Sequence, residues 1–109
     1  MATVIPIETL RRSPTAALFQ GGDEVAASIF VTEYQRGQGP DLHLHPYPEV
    51  FVVEAGTARF TAGDEQLVIG AGHIVVVPAE TPHGFKCHDD DRLRVVSVHP
   101  SPRVVQTDL

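Results

Sequence analysis

Two imidazoles and a carboxylate fall within seven residues of this chain, His43-Leu44-His45-Pro46-Tyr47-Pro48-Glu49, and a further imidazole, His83, follows a later apolar run. Three neutral imidazoles and one carboxylate make a borderline nitrogen and oxygen donor set without sulfur. Such a set suits one divalent transition metal ion of the group Fe, Mn, Ni, Co, Cu or Zn. Four protein ligands on an octahedral ion leave two positions for water, dioxygen or a chelating oxygen ligand, as a Lewis-acid or oxygenase centre requires. Glu49 is also a candidate base, were it to leave the metal during a reaction.

The elements around these residues must bring them together. In an extended strand residues i and i+2 share a face, so His43 and His45 stand side by side while Leu42 and Leu44 take the other face. A straight strand rising ~3.3 Å per residue would carry Glu49 roughly 20 Å from His43, so the chain has to turn between them. Pro46 and Pro48 supply that turn by fixing φ and removing two backbone donors. Glu49 then opens a second strand, residues 49–53, apolar on both faces after the carboxylate as in a buried strand. His83 has its own strand context after Gly72 and residues 73–77.

These two segments, residues 37–56 and 72–87, resemble the paired motifs of the cupin superfamily. The first motif, Gly, five residues, His-x-His, three or four residues, Glu, six residues, Gly, is met by Gly37, His43, His45, Glu49 and Gly56. The second, Gly, five residues, Pro-x-Gly, two residues, His, three residues, Asn, is met by Gly72, Pro78 and His83. It departs at Glu80, where glycine is usual, and at Cys87, where asparagine is usual. Neither departing position is a metal ligand in the family, so the departures bear on turn shape and the pocket floor. The resemblance implies that His43, His45, Glu49 and His83 hold the metal. It also implies an antiparallel jelly-roll, or double-stranded β-helix, barrel and a homodimer, since small cupins often pair.

The rest of the chain is compatible with an all-β domain. Apolar alternation or short apolar runs cover residues 25–34, 49–53, 58–61, 66–69, 73–77 and 93–99, punctuated by glycines and by Asp89-Asp90-Asp91. Many short strands at this spacing read as an antiparallel sandwich or jelly roll. Helix is scarce, with one turn expected near residues 7–12. The N-terminal arm up to Gln20 carries Val4, Ile5, Ile7, Leu10, Leu18 and Phe19, more apolar surface than a free tail should expose, and is expected to pack on its own barrel or across a dimer interface.

At 109 residues the chain fits one domain, 1–109. No apolar run reaches transmembrane length and no secretory leader pattern is seen, so no membrane partner and a cytoplasmic location are expected. A net charge of −6, with a single lysine among eight basic residues, argues against a nucleic-acid partner. One cysteine makes no internal disulfide.

Parity with the ligands places Phe51 and Phe85 on an apolar pocket wall, with Val53 and Cys87 as further candidates and Tyr47 at the pocket mouth. Phe60 is assigned to core packing. Cys87 and His88 point to opposite faces of a strand and cannot form a dyad. His88 is read as part of a solvated turn and His73 as surface or rim. For His99, at the end of residues 93–99, a rim role and a plain structural one weigh equally. Two functions stay open: a metal-dependent enzyme, dioxygenase-like or isomerase/cyclase-like, acting on a small oxygen-bearing substrate, and a non-catalytic small-ligand-binding or sensing module with a structural or vestigial metal. The fold does not select between them.

Overall fold

The computed structural model describes residues 1–109. Ten strands form two five-stranded antiparallel sheets. The first holds, in spatial order, β1 (Ala16–Gln20), β2 (Ser28–Tyr34), β9 (Leu93–His99), β4 (Glu49–Ala55) and β7 (His73–Val77). The second holds β10 (Thr107–Asp108), β3 (His43–Leu44), β8 (His83–Cys87), β5 (Thr57–Ala62) and β6 (Glu65–Gly70). The two sheets face each other as a jelly-roll barrel. The only helical segment is a 3-10 turn at Ile7–Leu10, and no helix is long and apolar enough to cross a membrane.

The period-two patterns explain which side chains enter the barrel. Leu93, Val95, Ser97 and His99 of β9 are buried, whereas Arg94, Val96 and Val98 between them face out and are half-buried. β4 places Glu49, Phe51 and Val53 inside, and β8 places His83, Phe85 and Cys87 inside. Each of these inward rows runs from polar at one end of the barrel to apolar at the other. Glu49, His83, His99 and His43 therefore gather at one end, over a core of Phe51, Phe60, Phe85, Val53, Leu93 and Val95. Phe51 meets Phe60 edge-on at 5.1 Å and Phe85 at 5.7 Å, so an aromatic cluster forms the rigid base of the site.

Glycine matters most where backbones nearly touch. Gly56, with φ 75°, lies so close to the Arg92 carbonyl that an added Cβ would sit 2.6 Å from its oxygen. Gly39, with φ 151°, lets the loop before β3 press against the Phe85 carbonyl, where a Cβ would clash outright. That approach seats the 37–42 loop on β8, with Cys87 N–H donating to the Gln38 carbonyl at 2.9 Å.

The N-terminal arm does pack on its own barrel. Residues Ala16–Gln20, not expected as a strand, pair with β2 along its whole length, and Ala17 and Leu18 are buried. The preceding Ile5, Ile7 and Leu10 lie over Ala17, Phe19, Ile29 and Val31 on the outer face of the first sheet. Two rows of apolar side chains cross that face in register from edge to edge. One row is Ala17, Val31, Val96, Val52 and Ile74; the other is Phe19, Ile29, Val98, Val50 and Val76. The arm covers the β1 end, and Ile74 and Val76 at the β7 end stay 66% and 63% exposed.

Candidate metal centre

β3 and the residue that follows it, His45, together with β4 and β8 supply the four expected ligands from both sheets. His43 lies directly opposite His83 in the β3–β8 pairing, and the Pro46-Tyr47-Pro48 turn carries the chain from the second sheet to the first, so that Glu49 arrives from the facing side. One ligand atom each from His43, His45, Glu49 and His83 lies within 4.8 Å of all the others, and all four residues are buried.

The hydrogen bonds orient each imidazole. Nδ1–H of His43 donates to the Asp41 carbonyl at 2.7 Å, that of His45 to the Val105 carbonyl at 2.8 Å, and that of His83 to the Thr81 carbonyl at 2.8 Å. A carbonyl only accepts, so each ring carries its proton on Nδ1 and turns the lone pair of Nε2 inward. Glu49 Oε1 sits 3.0 Å from His45 Nε2 and 3.1 Å from His83 Nε2. Electron-pair donors thus face one another at the centre, and His45 Nε2 is buried with no hydrogen-bond partner. Acceptor against acceptor in a dry site is unfavourable unless a cation or extra protons lie between them. The backbone carbonyls on the outer nitrogens are the usual support for metal-ligating histidines. The donor set and the orphaned nitrogen both fit a divalent transition metal ion.

Protons on the inner nitrogens, in place of a cation, would relieve the same conflict, and the acid–base shifts are those of that protonated cluster. Burial pushes the Glu49 carboxyl up, but His45, His83 and His99 outweigh it and hold the group well below the usual carboxylate range. Burial pushes His45 down, yet the Glu49 carboxylate and the Val105 carbonyl more than offset this and its pKa rises. Burial, joined by His83 and His45, leaves His43 below its ordinary value despite the Asp41 carbonyl.

Beside this group lies a cavity of about 200 Å³. Phe30, Tyr34, Phe51 and Phe85 give it aromatic walls, Thr32, Ser97, His99 and Gln106 add polar groups, and His43 and Glu49 border it on the ligand side. No lysine or arginine lines it. Five of the eight basic side chains pair elsewhere: Arg94 with Glu33 and Glu54, Arg92 with Glu33, Arg36 with Asp90, Lys86 with Asp41 and Arg11 with Glu8.

Of the other residues singled out in the sequence, Phe51 and Phe85 are on the cavity wall. Val53 and Cys87, expected there too, lie one strand repeat deeper, in the core below the Phe51–Phe85 level. Cys87 Sγ is 3.3 Å from the Asp91 carbonyl and 3.4 Å from that of Asp89, so the thiol braces the aspartate turn. Tyr47 does not line the cavity; it stacks on His45 at 5.1 Å and 7°, and its hydroxyl shares a hydrogen bond with His99 Nδ1 at 2.7 Å. His73 is exposed, with Nδ1–H on the Gly70 carbonyl, and His88 is exposed in its turn. Phe60 is fully buried in the core. His99 is no rim residue: it is 1% exposed, and its Nε2 lies 3.0 Å from Glu49 Oε2. Its parity with Leu93, Val95 and Ser97 was the available signal. Val105 and Gln106 carried none, because a C-terminal segment without periodicity does not disclose where it docks.

Two facing antiparallel sheets with three histidines and a glutamate converging at one open end define a double-stranded β-helix barrel with a site able to hold a metal. Residues 30–99 match the family model described as a cupin domain, and the chain belongs to that family. A relative from Streptomyces coelicolor, itself an uncharacterized protein, is 30% identical over 96 residues, covering 88% of this chain and 90% of its own. Among solved structures, oxalate decarboxylase of Bacillus subtilis, a protein with Mn(II) centres, superposes with a TM-score of 0.77 at 17% identity over 90% of this chain. This chain spans only 29% of that one. A double-stranded β-helix protein of Klebsiella pneumoniae gives 0.77 at 17% identity, covering 98% of this chain and 96% of its own. A cupin 2 conserved barrel protein of Rhodopseudomonas palustris gives 0.73 at 19%, covering 88% and 69%. At these identities the solved structures speak to fold.

Proposed function

We propose that this chain is a metal-dependent cupin enzyme that acts on a small oxygen-bearing substrate, partly aromatic and carrying at most one negative charge. The observation that supports it best is the convergence of three imidazole lone pairs and a carboxylate oxygen on one buried point, beside a cavity. His43, His45, Glu49 and His83 would hold the ion. When bound, a divalent ion of this class supplies Lewis acidity towards a substrate oxygen, and a redox-active one supplies electron transfer as well.

The protein's own groups account for the rest. The cavity volume corresponds to about six or seven waters at ~30 Å³ each, which limits the substrate to roughly a single ring or a short chain. Phe30, Tyr34, Phe51 and Phe85 would pack its apolar part, and Thr32, Ser97 and Gln106 would orient its oxygens. No lysine or arginine on these walls would balance a charge on the substrate, so the ion itself would have to meet it. Oxidation and an enolisation-type step are the two reactions such a site could promote.

The experiment is elemental analysis of untagged protein purified without added metal, followed by a turnover screen with and without chelator on small phenols, enols and hydroxy-ketones. Near one equivalent of a transition metal with chelator-sensitive turnover is expected. A loaded protein that binds such compounds without converting them would leave a ligand-binding module. Protein that takes up none of these ions would overturn the metal-dependent reading.

We extend the proposal to a homodimer joined through the outer face of the first sheet. Two apolar rows in register, left open at Ile74 and Val76, would be covered by the same surface of a second copy.

A further inference from the structure

Glu49 has two carboxylate oxygens in different company. Oε1 faces His45 and His83 among the ligand atoms, whereas Oε2 faces only His99, at 3.0 Å. His99 belongs to β9, not to the ligand set, and each of its ring nitrogens has one polar neighbour, Tyr47 at Nδ1 and Glu49 at Nε2. Val105 N–H donates to the Tyr47 hydroxyl at 3.2 Å, and that hydroxyl lies 2.7 Å from His99 Nδ1, to which it can give its own proton. With Nδ1 accepting, a neutral His99 carries its hydrogen on Nε2, on the side of Glu49. His99 Nε2 is buried and makes no hydrogen bond, with Oε2 3.0 Å away. A buried donor without a partner is costly, and Oε2 is the acceptor within reach.

We propose that Tyr47 and His99 are positioning residues for the metal ligand Glu49: the Tyr47 hydroxyl sets the His99 tautomer, and His99 Nε2–H engages Oε2 so that Oε1 alone is presented to the ion. This rests on the metal-centre reading above and deepens it. Tyr47 also stacks flat on His45, and the peptide of Val105 both accepts from His45 and donates to Tyr47. One residue of the C-terminal segment, outside the 30–99 span of the family model, therefore steadies ligands on both sides of the barrel.

The test is the affinity of the purified protein for Co(II) and Zn(II), measured by competition with a chromophoric chelator, together with the absorption spectrum of the Co(II) form. His99→Leu is expected to weaken binding about 10- to 100-fold, the usual loss on removing an outer partner of a ligand. His99→Gln, which keeps an N–H at comparable reach, is expected to recover most of it. Tyr47→Phe should weaken binding in the parent but add nothing in the His99→Leu background, because the hydroxyl acts through His99. The Co(II) spectrum should change in His99→Leu and Tyr47→Phe and return towards the parent's in His99→Gln. Equal affinity and spectrum in the parent and Tyr47→Phe would overturn the proposal, and because that change removes one oxygen from a half-buried residue, the result stands even if His99→Leu fails to fold. Additive losses in the double variant would also overturn it. A parent that binds neither ion would instead sink the metal-centre reading itself.

Discussion

The amide of Glu80 donates to the carbonyl of His45 at 2.8 Å, and Glu80 makes that bond from left-handed backbone, with φ at 60°. It is the only non-glycine residue with positive φ, and it occupies the position where the cupin pattern has glycine. The bond ties the loop before His83 to the segment bearing His43 and His45.

Glu80→Gly should therefore stabilise the protein. Left-handed backbone costs an L-residue about 1–2 kcal/mol, and the greater freedom of glycine in the unfolded chain returns roughly 0.5–1 kcal/mol of that. A net gain of about 0.5–1 kcal/mol is expected, read as a rise of a few degrees in Tm. The amide is retained, so metal affinity should not change.

Removal of the ligands should separate metal binding from folding. A His43→Ala/His83→Ala variant should purify without metal. Chelator should lower the Tm of the loaded parent and leave that of the variant unmoved, because only the parent gains stability from an ion bound to the native state. Equal chelator sensitivity would place the metal elsewhere.

Acid should act through Glu49. Its folded pKa lies below its ordinary value of 4.5, so the stability it contributes is present above pH 4.5 and is lost as pH falls from there towards the folded value. His43, also lowered, adds a loss that begins as pH falls below 6.5, whereas His45, raised, contributes below 6.5 and loses that contribution as pH rises through its folded value. In the metal-free protein Glu49→Gln should flatten the decline in Tm below pH 4.5 relative to the parent. Parallel curves would refute the assignment.

The apolar outer face predicts an association that can be broken without touching the site. Val76→Glu, at a position 63% exposed, should convert a dimeric parent into a monomer by light scattering after size exclusion, with metal content unchanged. A parent that is monomeric at every concentration would remove the homodimer.

Gly39→Ala should be among the most damaging single changes. Its Cβ would run into the Phe85 carbonyl, a backbone atom that cannot swing aside, and φ is unfavourable as well. A loss of about 2–4 kcal/mol is expected in a denaturant titration, within the range of strained backbone changes.

Much of the site was legible in the sequence because it is written in local rules. His43 and His45 share a face by strand parity, the two prolines enforce the turn to Glu49, and His83 sits at the start of a strand whose alternation continues through Phe85. The runs 73–77 and 93–99 coincide with β7 and β9, since short apolar runs bounded by turn residues mark strands. The two-residue strands β3 and β10 and the docking of the arm as β1 have no such periodicity. Their pairing is set by the sheet edges they find.

What only the tertiary structure decided is the company kept by groups far apart in the chain. Residues of one parity share a face, but parity does not say at what depth along the barrel a side chain ends, so Val53 and Cys87 fell to the core while Phe51 and Phe85 reached the cavity. Nor does it say which strand lies opposite. His99 meets Glu49 because β9 runs antiparallel to β4, bringing the end of one beside the start of the other, and Val105 meets His45 across 60 positions because the C-terminal segment folds back over β3. The residue types and local spacing in the sequence determined the candidate ligands; closure of the barrel, a property of non-local pairing, decided what stands behind them.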